Sequence, residues 1–225
     1  MLYTPLDWRI MGISYKTVKI EGFGTYEEKK SRFLGFSRHI ESEEQMNAFL
    51  TEIRKKYYDA SHHCYAFVSG KNGEIARSSD DREPSGTAGH PILSVIQKAG
   101  LTDTAVIVVR YFGGTLLGTG GLVRSYTKAA QEALRASLVI EKYEAEMLEL
   151  VLDYSLYGTV QAYLASEKRE PSASEFTDVV TIRLPVPSQE ADRVAEKLTD
   201  LTQGRAKIER NEKHLWLEKT SEISL

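Results

Sequence analysis

Several features that would assign a protein to a specialised class are missing from this sequence. Its 225 residues include a single cysteine, Cys64, so no internal disulfide can form and nothing favours an oxidising compartment. No apolar run approaches the roughly 18 to 20 residues that span a bilayer. The N-terminal segment also lacks the basic start and apolar core of a signal peptide. The composition therefore predicts a globular protein of the cytoplasm with no membrane partner.

Charge is distributed unevenly, although the net charge is only −3. Residues 1–142 carry 19 Lys and Arg against 16 Asp and Glu, whereas residues 143–225 carry 10 against 16. The first part is the one expected to face an anionic partner. An imbalance of this size is also ordinary for a globular domain, so it does not require such a partner.

Two successive patterns of helix and strand signals divide the chain. Residues 1–10 show neither periodicity nor capping signals, and we expect them to be dispensable for folding, within an N-terminal extension of residues 1–15. Residues 16–142 predict one mixed domain of helices and strands. Residues 143–225 show the order strand, helix, strand, strand, helix, strand, which is typical of a ferredoxin-like domain. We therefore predict an α+β protein with a joint near residue 142.

A glycine-rich segment, RYFGGTLLGTGGLVRSY at residues 110–126, follows a nearly continuous apolar stretch that predicts a buried strand. It fails the tests of known phosphate-binding loops. Thr119 stands where a P-loop requires lysine, and Val123 replaces the third glycine of a dinucleotide-binding loop. Bare amides at a helix N-terminus still suit an anion, and Arg110 and Arg124 flank them in the sequence. The alternative is that the glycines supply positive φ angles and close backbone packing.

We expect the loop from 113 to 121 to serve the fold first and an anion second, with at least one glycine at positive φ. Both Gly114→Ala and Gly120→Ala are then expected to destabilise the first domain. The two tyrosines of the segment are candidate stacking surfaces for nucleic-acid bases. The candidate binding residues are Arg110, Tyr111, Gly113, Gly114, Gly118, Gly120, Gly121, Arg124 and Tyr126.

A second candidate site is the acidic stretch SSDDREPSGTAGHP at residues 78–91. Its three carboxylates could hold a divalent cation, or carry out general acid–base catalysis with a histidine. The alternative is that they cap neighbouring amides and pair with nearby arginines, while two hydroxyl residues cap the helix that follows. Further metal ligands are scarce, so no metal is assigned. The candidate residues here are Asp80, Asp81, Glu83, Ser85, Thr87 and His62.

The tripeptide His62–His63–Cys64 suggests a zinc site or a cysteine nucleophile. Adjacent residues of a strand point to opposite faces, so only His62 and Cys64 share a side. No second cysteine exists to complete a zinc site, and Cys64 is better interpreted as a small buried hydrophobic residue.

Together, DDREPSGTAGHPIL and VIVVRYFGGTLLGTGGLVRSY closely resemble the signature of the Impact family, which includes the bacterial YigZ-type proteins. The resemblance covers roughly residues 16–135, and the remainder fits the smaller domain of the bacterial members. It implies an N-terminal α/β sandwich like domain IV of elongation factor G and a C-terminal domain like domain V of that factor. His62 matches a histidine of the family. Arg82 stands where the family usually has glycine, which argues against a left-handed backbone there.

The resemblance also implies a role near translation, because the eukaryotic relative is a translation regulator that competes for a ribosome-associated activator of an initiation-factor kinase. No catalytic residue is established for the family, so none is transferred. We therefore predict a non-enzymatic regulator without a cofactor, which binds RNA, the ribosome or a translation-associated protein. The alternatives are a hydrolase or phosphate-handling enzyme that uses Asp80, Asp81 and Glu83, and a pure protein-docking module.

Overall fold

A computed structural model describes residues 14–225, apart from the side chains of residues 212–216. The expectation that residues 1–10 are dispensable concerns a segment outside the described residues. No helix in the described part of the chain is both long enough and apolar enough to cross a membrane.

The described residues form two compact units. The first comprises Tyr15–Lys142 and Lys219–Leu225, and the second comprises Tyr143–Glu218. The sequence placed everything after residue 142 in the second domain, whereas the structure returns the last residues to the first unit. The reason is apolar contact, because Ile223 and Leu225 pack against the core of the first unit.

The first unit is a three-layer sandwich of helix, sheet and helices. An antiparallel sheet in the order β2–β3–β6–β4–β5 forms its middle layer. Its elements are β1 (Ser14–Ile20), β2 (Gly22–Glu28), β3 (Ser31–His39), α1 (Glu43–Lys56), β4 (His62–Ser69), β5 (Ile75–Ser79), α2 (Gly89–Lys98), β6 (Thr104–Tyr111), α3 (Gly118–Arg135) and the start of β7 (Leu138–Leu152).

The central strand β6 is buried on both faces, as the apolar stretch predicts. Val106 and Val108 belong to the core between the sheet and helices α2 and α3. Ile107 and Val109 belong to the core on the α1 side. This alternation follows from the two-residue period of a strand, and it decides which face each later residue of β6 occupies.

Helix α1 begins where its sequence signals predict. The Ser42 hydroxyl accepts a hydrogen bond from the Gln45 amide at 3.3 Å, and the Gln45 side chain accepts one from the Glu41 amide at 2.7 Å. These bonds satisfy amides that have no partner within the helix. The buried face of α1 consists of Met46, Phe49, Leu50 and Ile53.

The glycine loop turns the chain from β6 into α3. Gly114 and Gly118 have φ angles of +82° and +70°, so the expectation of a glycine at positive φ is confirmed. At Gly113 an added Cβ would lie 2.1 Å from the carbonyl carbon of Lys30, so the loop also packs closely against the β2–β3 turn. Gly120 is different, because it lies within α3 and its added Cβ would meet nothing closer than 3.6 Å.

The second unit has the predicted order of two strand–helix–strand halves. Its strands follow the spatial order β10–β7–β9–β8. The β7–β9 and β8–β9 pairs are antiparallel. This is the ferredoxin-like arrangement, so the predicted α+β fold class is confirmed. Its elements after β7 are α4 (Tyr154–Ser166), β8 (Ala173–Phe176), β9 (Val180–Pro187), α5 (Ala191–Leu201) and β10 (Lys207–Thr220).

Two glycine substitutions in the same loop–helix segment should have opposite effects on stability. Gly114→Ala forces a Cβ into the left-handed region and should cost about 1–2 kcal/mol. Gly120→Ala adds a helix-forming residue whose Cβ would make only an ordinary contact with the Arg124 guanidinium at 3.6 Å, and it should gain up to about 1 kcal/mol. The geometry at Gly120 therefore gives no reason for the destabilisation that the sequence led us to expect there. Urea unfolding followed through the NMR signals of β6 and α3 would test this, since a two-unit chain need not unfold in one step. Equal destabilisation by both substitutions would contradict it.

Candidate functional site

Asp80 organises the loop that connects β5 to α2. Its carboxylate accepts hydrogen bonds from three backbone amides, those of Gly86 at 2.8 Å, Ala88 at 2.9 Å and Gly89 at 2.8 Å. Burial on its own would raise the pKa of Asp80, but the bonds from Gly86, Gly89 and Ala88 outweigh it and hold that pKa below its ordinary value. Both oxygens of the Asp80 carboxylate therefore accept hydrogen bonds that stabilise this loop.

The predicted helix caps are wrong. Helix α2 begins at Gly89 after Ala88, and no side chain of the cap residue itself bonds to the first turn. Ser85 is exposed, and the Thr87 hydroxyl donates to the Pro84 carbonyl at 2.6 Å. Asp80, far from the helix in sequence, satisfies the free amides instead, which a search for local caps does not find.

The backbone turns left-handed at the two residues that follow Asp80. Asp81 has a φ of +39° and Arg82 a φ of +71°. The inference that a bulky residue argues against this conformation at position 82 is therefore wrong. The Asp81 carboxylate holds the turn against β4, since it accepts from the His63 amide at 2.6 Å and from the Arg54 guanidinium at 3.3 Å.

Glu83 is buried and joins two elements of the core. One of its carboxylate oxygens accepts from the Arg110 guanidinium of β6 at 2.5 Å and from the Tyr126 hydroxyl of α3 at 2.7 Å. The Nε2 atom of His62 on β4 lies 3.7 Å from the same oxygen. The Arg110 guanidinium also lies 5.4 Å from the ring centroid of the buried Phe33.

His62 and Cys64 share the face of β4 that points towards α3, as the strand period predicts. The Nδ1 atom of His62 donates to the Asp81 carbonyl at 2.9 Å, since a carbonyl oxygen can only accept. The Cys64 sulfur lies 3.1 Å from the Asp80 carbonyl and 3.3 Å from the Tyr126 hydroxyl. Burial raises the pKa of both the Cys64 thiol and the Tyr126 hydroxyl far above their ordinary values. Neither group supplies an anionic nucleophile at neutral pH.

The structure thus brings the residues of both motifs together in one buried polar cluster. Its carboxylates are committed to amides, arginines and a tyrosine. Among the described residues, no group of three or more His, Cys, Asp and Glu side chains is arranged to hold a metal ion. The members of this cluster are His62, Cys64, Asp80, Asp81, Glu83, Arg110 and Tyr126.

The structure corrects the roles expected of two cluster members. Tyr126 is fully buried, so it cannot offer a stacking surface to a base. Arg110 is 5% exposed and paired with Glu83, so it is not a free cation beside the glycine loop.

Tyr111 lies on the other face of the sheet. It packs against the core on the α1 side, its hydroxyl donates to Asp59 at 2.7 Å, and the Arg32 guanidinium lies 4.9 Å from its ring centroid. Burial raises its pKa, with the Asp59 hydrogen bond as the next cause. Tyr111 therefore does not contribute to the face that carries the glycine loop.

A second, exposed feature lies at the same end of the sheet, and we call it the glycine-loop surface. It consists of the loop 112–118, the β2–β3 turn at Lys29 and Lys30, and Arg124 in the first turns of α3. Phe112 is half exposed, and Leu116 is 84% exposed. The cap residue of α3, Leu117, makes no side-chain hydrogen bond to the first turn of the helix.

The sequence interpretation missed three members of this surface. Lys29 and Lys30 have φ angles of +45° and +65°, which places both in a tight two-residue turn between paired strands. Such turns usually contain Gly, Asn or Asp, so the Lys–Lys pair gave no turn signal. Phe112 was passed over because the apolar stretch assigned it to the buried strand.

Comparisons with known proteins agree with these motifs. The model of the Impact N-terminal domain matches residues 29–134, and that of a domain of unknown function, DUF1949, matches residues 150–205. The chain is 35% identical over 199 residues to the IMPACT family member YvyE of Bacillus subtilis, covering 88% of this chain and 92% of that protein. It is 34% identical over 184 residues to the IMPACT family member YigZ of Escherichia coli, covering 81% and 90%. The crystal structure of a hypothetical protein, 32% identical, matches with a TM-score of 0.58 over 88% of this chain and 97% of that one.

Replacing Asp80 by Asn should destabilise the first unit in a pH-dependent way. An Asn amide can accept from Gly86 or from Ala88 and Gly89, but its NH₂ group then opposes the remaining N–H donor. At neutral pH the cost should be about 2–3 kcal/mol. Because the pKa of Asp80 is lowered by folding, its contribution is present above the unfolded value of about 3.9 and is lost as pH falls through the folded value. Unfolding free energies measured between pH 2.5 and 7 should show that difference shrinking in acid. A difference independent of pH would contradict this role.

Arg82→Gly should stabilise the first unit. At a φ of +71° a residue with a Cβ costs about 1 kcal/mol relative to glycine. Arg82→Ala is the matched control, because it removes the same charge but keeps the Cβ, and it should give no gain. Urea unfolding of the three proteins measures the difference, and a gain shared by both variants would assign the effect to charge.

Proposed function

The chain belongs to the Impact family, and on that basis we propose that it regulates translation by binding RNA through its glycine-loop surface. The observation that carries the proposal is the combination of three unpaired cations with an exposed aromatic ring on one surface. The proposal includes a cytoplasmic location, because translation takes place there. The role in translation is proposed from the family resemblance. RNA is proposed as the partner from the cations and the aromatic ring of the glycine-loop surface.

The cations of the glycine-loop surface are available to an anion. Lys29, Lys30 and Arg124 are all exposed, and none makes a salt bridge within the part of the chain that the structure describes. The Gly113 amide adjoins the Lys29–Lys30 turn, since it donates to the Ser31 hydroxyl at 3.1 Å. Phosphate groups are recognised by such side chains together with backbone amides at a helix N-terminus. The surface therefore combines both kinds of phosphate donor.

Phe112 adds a surface on which a base can stack. Its ring is 49% exposed, and the Arg110 guanidinium lies 5.6 Å from its centroid. Arg110 is held by Glu83, so one side of the ring rests on a fixed partner. Sequence-tolerant binding of single-stranded RNA uses this pairing of aromatic rings with cations.

In the described part of the second unit, two cations of the sheet are paired with carboxylates. Arg183 on its sheet is bonded to Glu149 at 2.9 Å and to Glu175 at 2.7 Å. Lys207 pairs with Glu209. These cations are neutralised locally, which matches the net negative charge of the second half of the chain and favours the first unit as the RNA-binding one.

The enzyme alternative has less support. Asp80 accepts three amides, Asp81 is bonded to the His63 amide and to Arg54, and Glu83 is bonded to Arg110 and Tyr126. A carboxylate that acts as a general base must reach the proton that it removes. All three are instead directed into the fold.

Binding to single-stranded RNA should fall when the cations of this surface are removed. Lys29→Gln, Lys30→Gln and Arg124→Ala should each weaken binding, and each lost phosphate contact should reduce the slope of log K against log salt by about 0.7. Phe112→Leu should weaken binding with little change in that slope, because stacking releases no counterions. Lys197→Gln, at an exposed position on α5, is the control and should change neither.

Fluorescence anisotropy with a labelled oligonucleotide at several salt concentrations measures both quantities. Pull-down of ribosomes with and without RNase treatment then separates RNA from protein as the partner. Absence of binding at low and at moderate salt would exclude the RNA proposal.

A further inference from the structure

The turn between β4 and β5 contains the dipeptide Asn72–Gly73, which belongs neither to the buried polar cluster nor to the glycine-loop surface. The sequence has three asparagines, and only Asn72 is followed by glycine. Asn72 is exposed, and Gly73 has a φ of +69°. The side-chain amide of an asparagine can react with the peptide nitrogen of the next residue, and a glycine there has no Cβ to obstruct the approach. This turn is therefore the place in the chain where that reaction is least hindered.

The reaction is the formation of a succinimide, and it changes the chain covalently. The backbone nitrogen of Gly73 loses its proton to the solvent and attacks Cγ of Asn72. A bond forms between these two atoms, the bond from Cγ to Nδ2 breaks, and the side-chain nitrogen takes up a proton and leaves as ammonia. Water then opens the imide ring at either of its carbonyls. The product is an aspartate or an isoaspartate at position 72, and either one adds a negative charge.

Hydrogen bonds restrain both reacting groups in the folded turn. The Gly73 amide donates to the Gly70 carbonyl at 2.8 Å, so the attacking nitrogen is engaged. The Asn72 Nδ2 group donates to one oxygen of the Glu74 carboxylate at 2.9 Å, and the Asn72 amide donates to the other at 3.2 Å. The carboxylate of Glu74 therefore holds the Asn72 side chain in one orientation.

The charge of Glu74 acts in the same direction as its hydrogen bonds. Bonds from its own amide and from the Asn72 side chain hold the pKa of Glu74 below its ordinary value, so the group is ionised at neutral pH. A negative charge beside the Gly73 amide opposes the loss of the amide proton that precedes the attack. Both effects slow the formation of the ring.

The other two asparagines lie in regular structure and provide internal references. Asn47 lies within α1, where the helical backbone fixes the amide that follows it, and its carbonyl accepts from the Thr51 hydroxyl at 2.8 Å. Asn211 lies within β10 and is followed by a glutamate.

We propose that Asn72 is a site of deamidation and that Glu74 slows the reaction by holding the Asn72 side chain. The modified turn does not regain that contact, because a carboxylate at position 72 has no N–H to donate and is repelled by Glu74. The proposal does not depend on RNA binding by the glycine-loop surface.

Timed incubation of the full-length protein at mildly alkaline pH, followed by peptide mapping with mass spectrometry, tests this proposal. Asn72 should convert faster than Asn47 and Asn211. In Glu74→Ala the native protein should react at Asn72 roughly two- to fivefold faster than the wild type. Glu27→Ala removes a carboxylate from an exposed position of β2 and is the matched control, so it should leave the rate unchanged.

The same measurement in urea separates the restraint by the fold from the reactivity of the local sequence. Because the contact with Glu74 exists only in the folded turn, the wild type and Glu74→Ala should react at closely similar rates in urea. The proposal is overturned if Asn72 converts no faster than Asn47 in the native protein, if native Glu74→Ala reacts no faster than the wild type, or if its gain persists undiminished in urea.

Discussion

The buried carboxylate of Glu83 is the contact on which the first unit depends most. It ties the loop after β5 to β6 through Arg110 and to α3 through Tyr126, and His62 of β4 lies beside it. Removing one partner of a buried ion pair leaves an uncompensated charge and typically costs about 3–5 kcal/mol. The acidic motif and the glycine-rich motif therefore serve the fold first, because they hold three elements around one carboxylate. The exposed residues beside them, on the glycine-loop surface, are the ones available to bind a partner.

The elements with a strong period or a local signal could be predicted from the sequence. The apolar run through Val106 and Val109 gave a buried strand, and Ser42 with Gln45 gave the start of α1. Strand β2 escaped prediction because the turn that ends it has lysines where a turn usually has glycine or asparagine. Lys30 has a positive φ, which is unusual for lysine, so the turn could be recognised only from the pairing of β2 with β3.

The residues of the candidate site could be chosen from the sequence, but their roles could not. Tyr126 is a candidate stacking surface in the sequence, whereas in the structure it lies on the buried stripe of α3 together with Leu122 and Ala130. Asp80 caps a helix that begins nine residues later, and only the folded loop brings its carboxylate to those amides. Hydrogen bonds between residues far apart in the sequence produce no periodic pattern in it. Local capping rules therefore predicted Ser85 and Thr87 as the caps of α2 instead.

Because Cys64 is buried, the reactivity of its thiol reports on the opening of the first unit. The thiol is the only one in the sequence, it is fully buried, and burial keeps it protonated. A reagent that alkylates thiols can reach it only when β4 separates from α3, so the labelling rate is set by the opening equilibrium of the first unit. Unfolding confined to the second unit would leave that rate unchanged. Cys64 therefore lets the conformational stability of one half of the molecule be followed in a mixture, without any introduced label.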